Sequence, residues 1–154
     1  MTSQIAHEAS IPNPRLAALA PFIGTWTTEG HHPMLPGTTL HGRAMIEWLD
    51  GGAFLYTRSE IDDPRFPAGV AIIGSDDEAG TFTMLYFDQR EVSRRYEVTI
   101  GAGVIRWERA SPSLAQRFVL TISADGDTIH SVGEMSRDGG AWEPDLGLTY
   151  TRVK

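Results

Sequence analysis

The sequence contains no cysteine among its 154 residues. Without a thiol, the chain can form no disulfide, offers no thiolate nucleophile and cannot ligate zinc or an iron–sulfur cluster through sulfur. It also lacks an apolar run of the length that crosses a bilayer as a helix, and its N-terminal segment has no basic region followed by an apolar core. The sequence therefore predicts a cytoplasmic protein that does not insert into a membrane.

Positive charge is scarce, and so are the local motifs of several enzyme classes. The 13 Lys and Arg residues face 20 Asp and Glu residues, which gives a formal net charge of -7. A general nucleic-acid binder needs clustered Lys and Arg for its phosphate contacts, so no nucleic-acid partner is expected. The sequence has no histidine spacing typical of zinc sites, no phosphate-binding glycine loop and no G-x-S-x-G elbow. No metal site is predicted.

What the sequence has in abundance is alternation of apolar and polar residues. Residues 1–13 are interpreted as a flexible N-terminal lead and 14–154 as a single domain, which opens with the helical segment PRLAALAPF. About ten alternating segments follow, joined mostly by short turns. Because short connections favour antiparallel neighbours and closure removes exposed edges, we predict an all-β, antiparallel up-and-down β-barrel of about ten strands with a short N-terminal helix. A two-sheet sandwich is the alternative.

A barrel of this size can enclose a pocket for one small ligand. Aromatic and charged residues on several predicted strands are candidates for lining it. The predicted ligand-binding residues are His32, Trp48, Arg58, Tyr86, Tyr96, Arg117, Phe118 and Tyr150. An arginine inside a barrel needs a partner, because an unpaired buried charge is costly. Two readings stay open for the arginines: pairing with Glu on a neighbouring strand, or recognition of an anionic group of the ligand.

The adjacent pair His31 and His32 precedes Pro33. Adjacent residues of a regular strand point to opposite faces, so the two imidazoles cannot chelate one ion there. One interpretation places both on a polar rim where the first strand meets the next loop. The other gives one of them a role at the pocket mouth, as a hydrogen-bond partner or general base.

The segment GTWTTEGHHP, from Gly24 to Pro33, resembles the Gly-x-Trp opening strand of the calycin superfamily, which includes lipocalins, fatty-acid-binding proteins and nitrobindin-like barrels. The chain is most similar to the nitrobindin group and to a large set of bacterial barrel domains, which it also resembles in EWLDGGAFLYTR and in the terminal LTYTR. The resemblance covers residues 16–152. It implies a calycin or lipocalin-like barrel in which Trp26 packs at the closed end against an arginine of the last strand, here Arg152.

The resemblance also raises the question of haem. Nitrobindin-like proteins ligate ferric haem through a histidine near the C-terminus, and the final strand LGLTYTRVK contains none. A haem in this chain would need another ligand, with His31, His32 and His130 as the candidates. We expect no cofactor, and haem is the alternative.

Three functions follow from these observations. The first is an intracellular binding protein for a small, largely apolar ligand, with or without an anionic head, in the barrel cavity. The second is a cofactor-free enzyme using cavity Tyr, Arg, Glu and His in acid–base chemistry, as phenolic acid decarboxylases of lipocalin-like fold do, with Glu47, Glu97 or Glu134 as the proton donor. The third is a nitrobindin-like haem protein handling nitric oxide or peroxynitrite. A homodimer is left open.

Overall fold

A 3₁₀ helix precedes all of the strands, at the position that the sequence predicts. The computed structural model describes residues 8–154, so residues 1–7 of the predicted lead lie outside the described residues. The helix spans Pro14–Phe22, and the side chain of Asn13 accepts a hydrogen bond from the backbone amide of Arg15 at its start. Its fully buried side chains are Leu16, Leu19 and Phe22. The helix is therefore anchored by apolar contacts with the barrel.

Ten antiparallel strands follow the helix and close into a barrel. They are β1 Gly24–His31, β2 Leu40–Leu49, β3 Phe54–Ile61, β4 Gly69–Ser75, β5 Phe82–Asp88, β6 Val92–Gly101, β7 Val104–Arg109, β8 Leu114–Ile122, β9 Thr128–Arg137 and β10 Glu143–Arg152. Each strand pairs with its neighbours in sequence, and β1 pairs with β10. The predicted up-and-down barrel with a short N-terminal helix is confirmed, and the sandwich alternative is wrong because the sheet closes on itself.

Alternation along the strands separates the interior from the outer face. On β2, Ala44 and Ile46 are buried, whereas His41, Arg43 and Glu47 are exposed, as predicted. The helix and the loops after β2, β4, β6 and β8 form the closed end of the barrel. The loops after β1, β3, β5, β7 and β9 form the opposite end, which we call the mouth.

The closed end is fastened by Trp26 and Arg152. The guanidinium carbon of Arg152 lies 4.2 Å from the centre of the Trp26 ring, which is fully buried. The same guanidinium donates hydrogen bonds to the carbonyls of Ile23 (2.6 Å), Pro21 (2.8 Å) and Gly126 (2.9 Å). The predicted packing of Trp26 against Arg152 is confirmed.

A β-bulge interrupts β10 near the mouth. The pairing with β9 shifts by one residue between Pro144 and Gly147, so Asp145 and Leu146 stand where a regular strand would have one residue. The side chain of Asp145 is only 9% exposed. In a regular strand, alternation counted back from the inward Tyr150 would place residue 145 on the outer face. The bulge instead brings the carboxylate of Asp145 into the barrel.

Candidate functional site

The lumen of the barrel is not completely filled by its own side chains. Trp107, Phe118 and Tyr150 point inward but are only partly buried, whereas Val98 and Ile129 are fully buried. An inward side chain can keep accessible surface only toward space within the barrel or at its mouth. The rings of Trp107 and Phe118 lie 5.7 Å apart and form an aromatic section of the wall.

Five polar side chains meet inside the barrel near the mouth, and we call them the rim cluster. The members are His32, Arg94, Tyr96, Gln116 and Asp145. The amide oxygen of Gln116 accepts hydrogen bonds from Tyr96 Oη (2.9 Å) and Arg94 Nη1 (3.0 Å). The amide nitrogen of Gln116 donates to Asp145 Oδ2 at 2.9 Å, and His32 Nε2 lies 3.2 Å from Asp145 Oδ1. The cluster therefore joins β6, β8, the bulge of β10 and the loop after β1.

Both ring nitrogens of His32 face groups of the protein. Its Nδ1 accepts a hydrogen bond from the backbone amide of Met34 at 3.0 Å, so the proton of the neutral imidazole lies on Nε2, which is 3.2 Å from Asp145 Oδ1. Phe66 packs edge-on against the imidazole, with the ring centres 5.5 Å apart. In this arrangement His32 has no free lone pair to act as a base or a metal ligand.

Arg94 is the member of the cluster with unused hydrogen-bonding capacity. Its guanidinium carries five N–H groups, and among the described residues its side chain bonds only to the amide oxygen of Gln116 and forms no salt bridge. Burial raises the pKa of Tyr96 and the charge of Asp145 adds to this effect, while the nearby guanidinium groups of Arg94 and Arg109 act in the opposite direction. Two guanidinium groups and one carboxylate therefore lie near the Tyr96 hydroxyl.

Tyr150 presents a hydroxyl group deeper in the lumen. Within residues 8–154 this hydroxyl has no hydrogen-bond partner. Every fully enclosed polar side-chain atom of these residues does have a partner. The Tyr150 oxygen is therefore not fully enclosed and faces open space. Burial raises the pKa of Tyr150 to about 12. A neutral hydroxyl in an apolar setting gains from any hydrogen-bonding atom that reaches it.

Tyr86 belongs to a second group of hydrogen-bonded polar side chains at the mouth. Its hydroxyl donates to Asp88 Oδ2 at 2.9 Å, and Arg90 Nη2 donates to the same carboxylate at 2.8 Å. Burial and the hydrogen bond to Asp88 raise the pKa of Tyr86. Burial alone would raise the pKa of Asp88, but the hydrogen bonds from Arg90 and Tyr86 outweigh it, and that pKa lies below its usual value. The Tyr86 hydroxyl and the Asp88 carboxylate therefore already have hydrogen-bond partners within this group.

The structure sorts the predicted site residues into three sets. Pointing into the lumen or the rim cluster are His32, Tyr86, Tyr96, Phe118 and Tyr150. Trp48 also points inward, but it packs against the core at the closed end of the barrel, where β2 ends. The third set lies on the outer face and contains Arg58, which is exposed, and Arg117, which is half-buried. The role of the inward residues in ligand binding stays a prediction.

The prediction that Arg58 and Arg117 anchor a ligand in the cavity is wrong. Arg58 shares the outer face of β3 with Phe54 and Tyr56, because Leu55 and Thr57 take the inner face. Arg117 donates from Nε to Glu134 at 2.9 Å, and its guanidinium stacks 3.9 Å from the Trp142 ring centre. Neither guanidinium can reach the lumen.

The three candidate histidines, His31, His32 and His130, do not fit a haem ligand. His31 is exposed on the outer face, where its Nδ1 lies 3.2 Å from the carbonyl oxygen of Thr38, and His130 lies exposed beside Thr149. His32 is the inward one; its Nδ1 accepts from the amide of Met34 and its Nε2 lies 3.2 Å from Asp145 Oδ1. Within residues 8–154 no group of three or more His, Asp or Glu could hold a metal ion.

The carboxylates of the proposed acid–base enzyme also lie in the wrong place. The three candidate proton donors, Glu47, Glu97 and Glu134, all point to the outer face of the barrel. The carboxylates that do face the interior, Asp88 and Asp145, are held by hydrogen bonds from neighbouring side chains. None of the three candidate proton donors therefore reaches the lumen.

Three functional candidates were not selected from the sequence. Arg94 shares a strand face with Tyr96, and Gln116 shares one with Phe118. Alternation along the two strands could therefore have predicted that both residues point inward. Asp145 gave no signal, since only the bulge turns it inward.

Depressions in the surface of the described residues lie outside the lumen. A depression of about 350 Å³ adjoins the mouth; its lining residues are Pro33, Met34, Met135, Arg137, Glu143 and Pro144. A larger open groove of about 490 Å³ crosses the outer face of β10, β1 and β2, and outward side chains such as Thr27, Glu29 and Thr149 line it. The larger groove is thus separate from the lumen and from the rim cluster.

Comparison with known proteins places the fold. No protein-family model matches the chain, and no curated protein matches it. The crystal structure of Rv2717c from M. tuberculosis is similar over 94% of this chain and 100% of that chain, with a TM-score of 0.70 and 16% sequence identity. The S-type phycobiliprotein lyase CPES from Guillardia theta is similar over 88% of this chain and 90% of that chain, with a TM-score of 0.58 and 13% identity.

These two likenesses concern the fold alone. Across residues 8–154, every helix is too short or too polar to cross a bilayer. The ten-stranded antiparallel closure and the likeness to both solved structures identify the fold of this chain as a closed antiparallel β-barrel.

Proposed function

We propose that the protein binds a small, largely apolar molecule in the barrel lumen and holds an anionic group of that molecule, such as a carboxylate, with Arg94. The observation that carries the proposal is the state of Arg94: its guanidinium points inward and, among the described residues, is bonded only to the neutral amide of Gln116. A carboxylate can take two parallel hydrogen bonds from a guanidinium, which is the strongest pairing available to it.

The charge balance of the rim cluster supports an anionic group. With His32 neutral, Arg94 and the neighbouring Arg109 contribute two positive charges, and Asp145 contributes one negative charge. The difference is one positive charge inside a protein whose formal net charge is -7. A ligand with a single negative charge would neutralise it, at a position where low dielectric strengthens the attraction.

The rest of the lumen suits an apolar body. Below the rim cluster, the aromatic wall of Trp107 and Phe118 offers surface for flat or aliphatic groups. The free hydroxyl of Tyr150 offers one hydrogen bond deeper inside. We therefore expect the bound molecule to lie with its anionic end at the mouth and its apolar end toward the closed end.

The experiment uses two fluorescent probes that differ in charge. 1-Anilinonaphthalene-8-sulfonate is aromatic and anionic, whereas N-phenyl-1-naphthylamine has nearly the same ring system without the sulfonate. We expect both to bind with enhanced fluorescence, and Arg94→Met to weaken binding of the sulfonate at least about tenfold while leaving the neutral probe unchanged.

The matched control is Arg106→Met, which removes an exposed arginine from the outer face of β7 and is expected to change neither affinity. If Arg94→Met binds the sulfonate as tightly as the wild type does, Arg94 is not the anchor. Mass spectrometry of an organic extract from the denatured protein, as purified, would then identify a natural ligand; an extracted acid supports the proposal, and an extracted cation contradicts it.

A further inference from the structure

The outer face of β3, β4 and β5 carries a contiguous apolar surface, which we call the outer patch. Its members are Phe54, Tyr56, Val70, Ile72, Leu85 and Phe87. Four of these side chains are well exposed: Phe54 is 41% accessible, Ile72 37%, Leu85 45% and Phe87 46%. Outward positions of a barrel are normally polar, and clustered exposed apolar side chains mark an interaction surface.

Charged residues flank the outer patch in an ordered way. Strand register places Tyr56, Ile72 and Leu85 side by side in one row across three strands. Glu47 continues the row on β2, and Arg95 continues it on β6. The order along the row is therefore one acidic residue, three apolar residues and one basic residue.

We infer that the outer patch is the interface of a homodimer whose two-fold axis runs parallel to β4 through Ile72. Rotation about this axis exchanges the two sides of the row. Ile72 then meets the partner's Ile72, and Glu47 meets the partner's Arg95. By symmetry the same ion pair forms a second time, which makes the surface self-complementary.

The adjacent row fits the same axis. It contains Arg58, Val70 and Phe87 from β3, β4 and β5. The rotation brings Arg58 over the partner's Phe87, where a guanidinium and an aromatic ring attract each other. Arg58 forms no salt bridge with any of the described residues, so its guanidinium is available for this contact.

The flanking charges select this axis over the perpendicular one. An axis across the strands would set Glu47 against the partner's Glu47 and Arg95 against the partner's Arg95, and like charges in contact are unfavourable. Arg95 already donates to Asp76 at 3.2 Å, but its side chain is 69% exposed and retains further N–H donors. It can hold Asp76 and the partner's Glu47 together.

The test is a pair of charge reversals studied alone and mixed. Glu47→Arg places arginines against each other at both contacts of its homodimer, and Arg95→Glu does the same with glutamates. Each variant alone is expected to dimerise at least about tenfold more weakly than the wild type. An equimolar mixture restores both ion pairs, so we expect dimers to reappear in sedimentation velocity runs.

Ile72→Lys, which puts two ammonium groups on the axis, is also expected to give monomers. Its matched control is Val132→Lys, because Val132 is a 61% exposed aliphatic residue on the outer face of β9. That variant should dimerise like the wild type, and circular dichroism checks the fold of each variant. A wild type that stays monomeric up to millimolar concentration overturns the proposal, as does a mixture that stays monomeric although the wild type dimerises. Binding of a monomeric wild type to phosphatidylcholine vesicles through Ile72 would assign the patch to a lipid surface instead.

Discussion

Arg152 and Trp26 join the two ends of the described chain at the closed end of the barrel. The guanidinium carbon lies 4.2 Å from the centre of the indole ring, and its N–H groups donate to the carbonyls of Pro21, Ile23 and Gly126. One side chain of the last strand thus holds the N-terminal helix, the start of β1 and the turn between β8 and β9.

We expect Arg152→Ala to lower the free energy of unfolding by about 3 kcal/mol, because it removes charged hydrogen bonds and the cation–π contact together. Urea unfolding followed by tryptophan fluorescence measures it. The control is Arg106→Ala on the exposed outer face of β7, which should stay within about 0.5 kcal/mol of the wild type. A loss below about 1 kcal/mol for Arg152→Ala would show that the closed end is held by the helix alone.

Two tyrosines of the lumen should respond differently to loss of the hydroxyl. Tyr96 donates to Gln116, so Tyr96→Phe should cost about 1 kcal/mol of stability. The Tyr150 hydroxyl has no protein partner among the described residues, so Tyr150→Phe should change stability by less than about 0.5 kcal/mol. Denaturant titration of both variants distinguishes the two cases, and equal losses would mean that the Tyr150 hydroxyl is also bonded.

The Asp88 carboxylate should make stability depend on pH. Its pKa in the folded state lies below the usual value, so it stabilises the fold above the unfolded-state pKa of about 4, and this stabilisation is lost as the pH falls through the folded-state pKa. Asp88→Asn should therefore lower the unfolding free energy by about 2 kcal/mol at pH 7 and converge with the wild type in acid. Asp77→Asn, at an exposed position, serves as the control. Parallel stability curves of Asp88→Asn and wild type down to pH 2 would refute the prediction.

Addition of ferric haem should give no sharp, saturable Soret band. The reason is the position of the imidazoles: His31 and His130 lie outside the barrel, and His32 would have to give up the hydrogen bond from Met34 or the contact with Asp145. Absorption titration of the purified protein checks it. A saturable band that disappears in His32→Ala would show that the rim cluster rearranges to bind iron.

Alternation along the strands predicted most of the fold, but it could not say which face of β3 is the inner one. Phe54 and Tyr56 make their face look like a core face, and Arg58 lies on it. In the structure that face belongs to the outer patch, and the smaller Thr57 points inward. An apolar surface on the outside carries the same sequence pattern as a core, so the pattern misassigned Arg58.

The rim cluster was only partly predictable, for a different reason. The sequence predicts Tyr96 as a residue that lines the cavity and His32 as a candidate at the pocket mouth, and Arg94 follows from the alternation of β6. Asp145 could not be placed, because the bulge adds a residue to β10 and changes the phase of alternation there. Nothing local in the sequence Glu143-Pro144-Asp145-Leu146-Gly147 distinguishes a bulge from a regular strand.

That bulge has a consequence for how the chain can change in length. In a regular strand, losing or gaining one residue turns every later side chain to the opposite face. Between Pro144 and Gly147 the extra residue is already absorbed, so deletion of Leu146 would leave Leu148 and Tyr150 facing the lumen and would keep Asp145 on the inner side. The mouth of this barrel is therefore a place where insertions and deletions, and not only substitutions, can reshape a pocket while the ladder of hydrogen bonds beyond it is preserved.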